Sequence, residues 1–371
     1  MNKKKVVLAS VLKPVNDTRM FKKIGLSIAS TNKYDVNIIG FYANTLETYS
    51  NITFHPNFNF SRISFARLLA GFRFYKCLIK IKPQLVIINT HELLLPAVIY
   101  KMFHKGKLIY DVQENHFRNL WYTNSFPFLV RHLLAFFVRL KEYLTSPFID
   151  HFFFAEKYYS KEISFAKERF IVLENKCKIE RKSTPKKRII EGNINLIFSG
   201  TLAESTGVFG AINLAVSLFQ MNENVRLKIV GYTPQKKVLN NIKRAIQNFP
   251  FITLIGGNKL VDHSVILSEI ANADFGIIYY PTNKSTINST PTKLYEYLAN
   301  GLPILLQNHS EWKDICNQCK GAILVDYDNI NAQSILDAMA TKSFFPNGVG
   351  DEFIWQSEHD KLLQYLEYNV I

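Results

Sequence analysis

The sequence predicts an α/β protein of two domains, each built on a parallel sheet with helices on both faces. Three observations carry this. Apolar runs rich in Val, Ile, Leu and Phe alternate with helix-period segments along most of the chain, as parallel strands buried on both faces require. At 371 residues with 47% apolar side chains, the chain can bury large cores, and that length fits two domains better than one. Residues 176 to 193, KCKIERKSTPKKRIIEGN, are polar and nearly free of large apolar side chains, which marks a domain boundary. The expected organisation is a first domain over 1–178, a linker over 179–192, a second domain over 193–345, and a closing helical segment over 346–371.

In the first domain KVVLASVL (5–12) reads as a strand and KPVNDTRMFKKIGLSIAS as the helix after it, with no glycine before Gly25. A dinucleotide-binding turn needs G-x-G-x-x-G there, so a nicotinamide-dependent dehydrogenase loses its main support. Asp17 and Arg19 stand instead at this strand-to-helix turn, where α/β folds place ligand contacts, although helix capping by Asp17 explains that residue as well. Further strands are expected at YDVNIIGFY, LVIINT, KLIYDV, HFFFAE and FIVLEN. His91 and Glu92 follow LVIINT, and Gln113, Glu114 and His116 follow KLIYDV. Both turns should lie at carboxyl ends of strands, the ligand side. A buried or capping role for either histidine stays open.

The second domain opens with INLIFSGTLAESTGVFG. Gly200 ends a strand and Gly207 precedes a helix, so the turn between them, with Thr201, can bring backbone N–H groups close to phosphate. RLKIVGY ends at Gly231 and Tyr232, and FITLIGG, DFGIIYYP and GAILVD continue the strand pattern. The loop TNKSTINST (282–290) is rich in hydroxyl and amide groups, which suits a sugar and suits any exposed loop.

Chemistry concentrates in Asn288 to Leu306, NSTPTKLYEYLANGLPILL. Ser289 or Thr290 is expected to cap a helix with Pro291 in its first turn, and Gly301 ends it before Pro303 opens an apolar run. Lys293 and Glu296, three residues apart, are neighbours on one face. An ammonium in a first turn sits at the positive end of the helix dipole, a conflict that a bound anion removes. Free N–H groups at the helix start, from Thr292 onward, together with Lys293 therefore suit a diphosphate. Glu296, one turn deeper, can accept two hydrogen bonds from a vicinal diol such as ribose. The same spacing fits a solvated Lys–Glu pair.

PTKLYEYLANGLPIL resembles the donor-binding segment of family 4 glycosyltransferases, and NDTRMFKKIGLSIA is similar to the start of some bacterial capsule and lipopolysaccharide members. The resemblance implies the GT-B fold: two Rossmann-like domains with a deep interdomain cleft, the donor in the second, the acceptor in the first, and a final helix packing back on the first. It gives Glu296 the donor ribose. Eight residues earlier the family usually has a glutamate on the transferred sugar; this chain has Asn288. Relatives approach the nucleotide where Gly231 and Tyr232 stand. They use the turn of His91 and Glu92 for acceptor, and aim a histidine at the donor sugar where this chain has Gln113 or Glu114, with His116 just after. Relatives often place an arginine and a lysine in the loop that here reads GTLAESTG, so Lys293 and backbone amides carry more of the diphosphate. The implied chemistry is transfer with retention of configuration, without metal or cofactor, from a UDP- or GDP-sugar. Lys293 would stabilise the leaving diphosphate, with His116 and Glu114 as the other candidate catalytic groups.

The net charge of +15 predicts affinity for an anionic membrane, nucleic acid or phosphorylated substrates. A helix over 62–80 would align Arg62, Arg73, Lys76 and Lys80 beside Phe65 and Leu69, and FPFLVRHLLAFFVRLKEYL (126–144) interleaves Arg131, His132, Arg139 and Lys141 with aromatics and leucines. Such stretches lie on anionic lipid, or are ordinary helices with solvated charged faces. No apolar run reaches the roughly 18 residues of a membrane span, and the N-terminus reads as a strand rather than a signal peptide. The expected protein is cytoplasmic and peripheral at the inner membrane face. It would pass a sugar to a saccharide or lipid-linked saccharide in surface polysaccharide synthesis, and would not bind nucleic acid. A nucleotide-sugar epimerase of the same fold and a basic nucleic-acid-binding protein are the competing readings. Cys316 and Cys319 form a lone CxxC without the further ligands a zinc site needs.

Overall fold

The computed structural model describes residues 3–43, 48–60, 64–122, 126–179, 192–283 and 287–369. The chain forms two compact units, Met1–Lys178 with Trp355–Ile371, and Ile179–Ile354. Most of the expected linker, 180–191, lies outside the described residues. The return to the first unit begins at Trp355 rather than at 346.

Unit 1 carries β1 (Lys4–Pro14), β2 (Tyr34–Phe41), β3 (Ile52–Phe58), β4 (Leu85–Ile88), β5 (Lys107–Val112), β6 (His151–Phe154) and β7 (Phe170–Val172). All neighbours are parallel, in the order β3-β2-β1-β4-β5-β6-β7. β4 is buried at every position, the consequence of helices on both faces. β3 carries no expected strand pattern because ITFHPNF mixes polar residues with Pro56; it forms the sheet edge, where proline is tolerated. One face packs on the helices Ala70–Ile81 and Leu94–Phe103 through Phe74, Leu78 and Leu94. The other packs on Thr18–Gly25, Leu26–Ala29 and the final helix Trp355–Asn369 through Ile24, Ile28 and Leu362. Trp355 Nε1 donates to Ser27 Oγ (2.9 Å) and Lys176 Nζ pairs with Glu358 Oε1 (2.7 Å), which ties the last helix into this unit.

The basic stretches depart from expectation. Residues 64–81 are not one helix: a 3-10 turn at Phe65–Arg67 precedes Ala70–Ile81, and Arg62 lies outside the described residues. In the helix Phe128–Thr145 two of the charges turn inward. Arg139 Nη1 meets Glu142 Oε2 (3.2 Å) and Lys141 Nζ meets His91 Nδ1 (2.8 Å). Leu129 is 80% exposed, and Phe128, Leu133 and Phe136 are exposed as well, so the outer face is largely apolar. Among the described residues no helix is long and apolar enough to cross a membrane.

Unit 2 carries β8 (Ile194–Thr201), β9 (Val225–Tyr232), β10 (Ile252–Gly257), β11 (Phe275–Ile278), β12 (Ile304–Gln307) and β13 (Ala322–Val325), in the order β10-β9-β8-β11-β12-β13. From β8 the chain winds one way through β9 and β10 and the other way through β11 to β13. The connections diverge between β8 and β11, the switch point at which doubly wound sheets leave a crevice beyond the strand carboxyl ends. β1 and β4 form the equivalent point in unit 1. Cys316 and Cys319 are buried free thiols, and burial pushes Cys319 up to about 12. Among the described residues no group of three or more His, Cys, Asp or Glu is placed to hold a metal.

Candidate functional site

Three backbone segments meet at the unit 2 switch point. Gly200 (φ +106°) and Thr201 finish β8, and Gly207 (φ +84°) starts the helix Val208–Met221. A Cβ on Gly207 would stand 2.0 Å from the Tyr279 carbonyl oxygen, just past β11, and one on Gly231 would stand 1.8 Å from the Gly200 carbonyl oxygen. Both glycines are therefore demanded by close backbone approach, which brings the ends of β8, β9 and β11 together beside Tyr232.

The helix Thr292–Ala299 faces this crevice from the loop after β11. Neither Ser289 nor Thr290 caps it: Pro291 holds the N-cap position, without a side-chain cap bond. The approach is fixed from outside instead, by Trp312 Nε1 on the Ser289 carbonyl (3.0 Å) and His309 Nε2 on the Ile287 carbonyl (2.7 Å). Asn288 is half-buried between those anchors, while 284–286 of the polar loop lie outside the described residues. At the far end Gly301 is left-handed (φ +63°) and its N–H bonds Leu298, while the Leu302 N–H bonds Tyr297. This is a Schellman closure. Tyr297 Oη meets Ser199 N (3.0 Å) and Oγ (2.9 Å), which pins the helix to β8.

Lys293 is only 6% exposed, with Nζ 3.8 Å from the Phe198 ring centroid and 4.9 Å from that of Tyr280. It forms no ion pair with a described residue. Burial lowers its pKa from 10.5 to about 7. Aromatic faces offset part of the cost of a buried ammonium, but the charged form lacks an anion. Exposed Thr292 precedes it and Glu296 follows one turn on. Glu296 Oε1 takes a 2.5 Å contact from His263 Nε2, at the start of the helix His263–Asn272. His263 escaped sequence reasoning because its partner lies 33 residues away.

In unit 1, Asp17 caps its helix, accepting from the N–H groups of Arg19 (3.0 Å) and Met20 (2.8 Å). Arg19 does not fit the expected acceptor contact. It is buried, with Nη2 2.7 Å from Asp111 Oδ1 and Nη1 donating to the Leu173 carbonyl (2.9 Å), so its fork is spent inside the unit. His91 and His116 meet edge to face at 5.0 Å, and Glu92 pairs with Arg67. Burial lowers the His91 pKa to about 3, against the opposing pull of Glu92, so the ring is neutral and Nδ1 can accept from Lys141. For Glu92 burial acts upward, but the charge and hydrogen bond of Arg67 outweigh it and hold the carboxyl below its ordinary value. Its Oε2 is buried without a hydrogen-bond partner among the described residues. Glu114 is exposed and accepts from Asn119 Nδ2 (3.3 Å). The structure thus gathers His91, Glu92 and His116 with Arg67 and Lys141, and leaves Asp17 and Arg19 in the scaffold.

Two doubly wound Rossmann-like units define the fold class, that of the GT-B glycosyltransferases. Particular solved structures share it over nearly the whole chain. Sucrose-phosphate synthase from Thermosynechococcus elongatus aligns with a TM-score of 0.70 at 12% identity, covering 98% of each chain. HepE from Anabaena, in complex with UDP and glucose, aligns at 0.66 and 10% identity over 98% of this chain and 100% of that one. A glycosyltransferase from Rickettsia africae aligns at 0.59 and 11% identity, over 98% and 94%. At such identities the likeness establishes the fold. No protein-family model matches the chain, and no curated protein matches it.

Proposed function

We propose that the protein is a glycosyltransferase in which unit 2 binds a nucleoside-diphosphate sugar and unit 1 a saccharide acceptor, lipid-linked, in bacterial surface polysaccharide synthesis. The observation that carries this reading is Lys293: a buried lysine without an ion-pair partner among the described residues, at a helix start one turn from Glu296. A diphosphate supplies the anion this position lacks, and the first-turn N–H groups beside Thr292 add donors. Ribose hydroxyls replace His263 on Glu296, and the Asn288 amide meets the transferred sugar. Gly200, Thr201, Gly207, Gly231 and Tyr232 shape the crevice. In the reaction Lys293 and the amides stabilise charge growing on the departing diphosphate, which suits retaining transfer without a metal. On the acceptor side, the Nε2–H of neutral His91 can donate to a sugar hydroxyl, with the His116 ring and Glu92 beside it.

A thermal-shift and calorimetric screen of UDP, GDP, ADP and their sugar conjugates tests the reading. One nucleotide diphosphate is expected to stabilise the protein, and Glu296→Ala to weaken that binding about tenfold or more, with exposed Glu223→Ala unchanged. A folded protein that answers to none of them, or Glu296→Ala binding as tightly as the parent, sinks it. Sugar-nucleotide isomerisation without acceptor would identify an epimerase instead.

A further inference from the structure

Unit 1 contains a groove of about 1090 Å³ between the Phe65–Arg67 turn and the helices Ala70–Ile81, Leu94–Phe103 and Phe128–Thr145. A second hollow of about 420 Å³ adjoins it and shares His91, Leu95, Leu134, Val138 and Lys141. The larger volume is at the upper end of small-ligand pockets, which run to about 1,000 Å³. Its walls are apolar, from Leu68, Phe72, Leu95, Ile99, Leu134 and Val138.

Its charged lining is a single connected cluster. Arg67 pairs with Glu92, Glu92 Oε2 lies 3.7 Å from His91 Nδ1, and that nitrogen meets Lys141 Nζ at 2.8 Å. Two cations against one carboxylate leave the cluster net positive while His91 is neutral. Outside the groove the helix Phe128–Thr145 presents exposed Phe128, Leu129, Leu133 and Phe136, and the helix Ala70–Ile81 presents exposed Arg73, Lys76 and Lys80. The three helices hold one carboxylate, Glu142, and it is buried. The rim of a protein–protein interface is polar, with no fixed sign of charge. Helices that expose apolar side chains together with charges of positive sign alone are complementary to anionic lipid.

We propose that this groove holds the hydrocarbon chain of a phosphate-bearing amphiphile drawn from an anionic bilayer, with its phosphate at Arg67 and Lys141. The proposal rests on the glycosyltransferase reading only for the identity of the amphiphile, which is then the lipid-linked acceptor. Such a chain would leave the bilayer for apolar walls, and the saccharide beyond its phosphate would lie beside Glu92.

The test uses the full-length protein with monomeric dodecyl phosphate, against inorganic phosphate and dodecyl maltoside, followed by flotation with phosphatidylglycerol–phosphatidylcholine vesicles. Dodecyl phosphate is expected to bind about tenfold or more tighter than either comparator. Leu95→Trp, which fills the groove from a position that is 52% exposed, is expected to lose that advantage while keeping its nucleotide response. Ile99→Trp is the second variant should Leu95→Trp fail to fold. Equal binding of dodecyl phosphate by parent and groove variants, or binding no tighter than inorganic phosphate, overturns the proposal. Concentration-dependent self-association abolished by the same variants, without amphiphile binding, overturns it in favour of a second copy of the chain. Because the amphiphile measurements are made without nucleotide, their failure leaves the donor reading intact, and the nucleotide screen fails or succeeds independently.

Discussion

At Lys293 burial and function pull in opposite directions. Its folded pKa of about 7 lies below the usual 10.5, so between those values the unfolded chain binds the extra proton and stability falls as pH falls. Below about pH 7 the loss is complete, roughly 4–5 kcal/mol as an upper bound. Lys293→Met is therefore expected to be more stable than the parent at about pH 6 and equal to it near pH 10.5, by chemical denaturation, while losing diphosphate binding. A bound diphosphate raises the lysine pKa, so binding near pH 8 takes up a proton, which calorimetry in buffers of different ionisation enthalpy reads directly. Tight binding by Lys293→Met would remove this residue from the site. His91 makes a second residue-scale prediction: with a pKa near 3, its ring signals in an NMR titration stay those of neutral imidazole from about pH 8 down to about pH 5, whereas a free histidine titrates near 6.5. A midpoint above 5 would contradict the part-buried Lys141–His91 contact. The diphosphate role of Lys293 was legible beforehand, but its burial was not, because a lysine's burial depends on what packs over it. Phe198 and Tyr280 flank Lys293 from β8 and the end of β11, and neither is a sequence neighbour.

The helix Thr292–Ala299 was readable as an element because most of its signals are local: Pro291 at the start, Lys293 and Glu296 on one face, and Gly301 before Pro303 at the stop. Its anchoring was not, since Trp312 and His309 reach back 23 and 22 residues and make a Ser289 or Thr290 cap unnecessary. In Phe128–Thr145 the helix was readable but the direction of its charges was not. Interleaved charges suggest a basic outer face only if they point outward, and buried Glu142 and His91 draw Arg139 and Lys141 in. Turns offer a sharper test of what geometry demands. Gly207 and Gly348 have nearly the same φ, +84° and +79°, but a Cβ meets the Tyr279 oxygen at 2.0 Å in one and nothing within 4 Å in the other. Gly348→Ala is expected to cost about 1 kcal/mol from backbone conformation alone. Gly207→Ala should cost about 3 kcal/mol or more, because backbone must also move. Equal losses in urea denaturation would mean that the close approach of the β8 and β11 exits is not rigid.

Two α/β domains were legible from alternation and from the charged tract at 176–193, but the strand orders were not, because pairing is settled by contacts remote in sequence. The route of the chain has an energetic consequence. It leaves unit 1 at Lys178 and returns at Trp355, so the last helix completes a core begun more than three hundred residues earlier, with Trp355 bonded to Ser27 across 328 positions. Unit 2 has its own core around Phe198, Leu214 and Ile277. Trp355→Ala removes a buried aromatic and that hydrogen bond, at roughly 3–5 kcal/mol, which should lower a unit 1 melting transition by about 10 °C. A nucleoside diphosphate bound by unit 2 should raise the unit 2 transition by mass action and leave the other in place. Scanning calorimetry of the parent and of Trp355→Ala, with and without nucleotide, separates the two effects. Transitions that move independently would show that each core carries its own stability. One transition that answers to both changes would show that the two cores unfold as a single cooperative system, with the returning helix stabilising both.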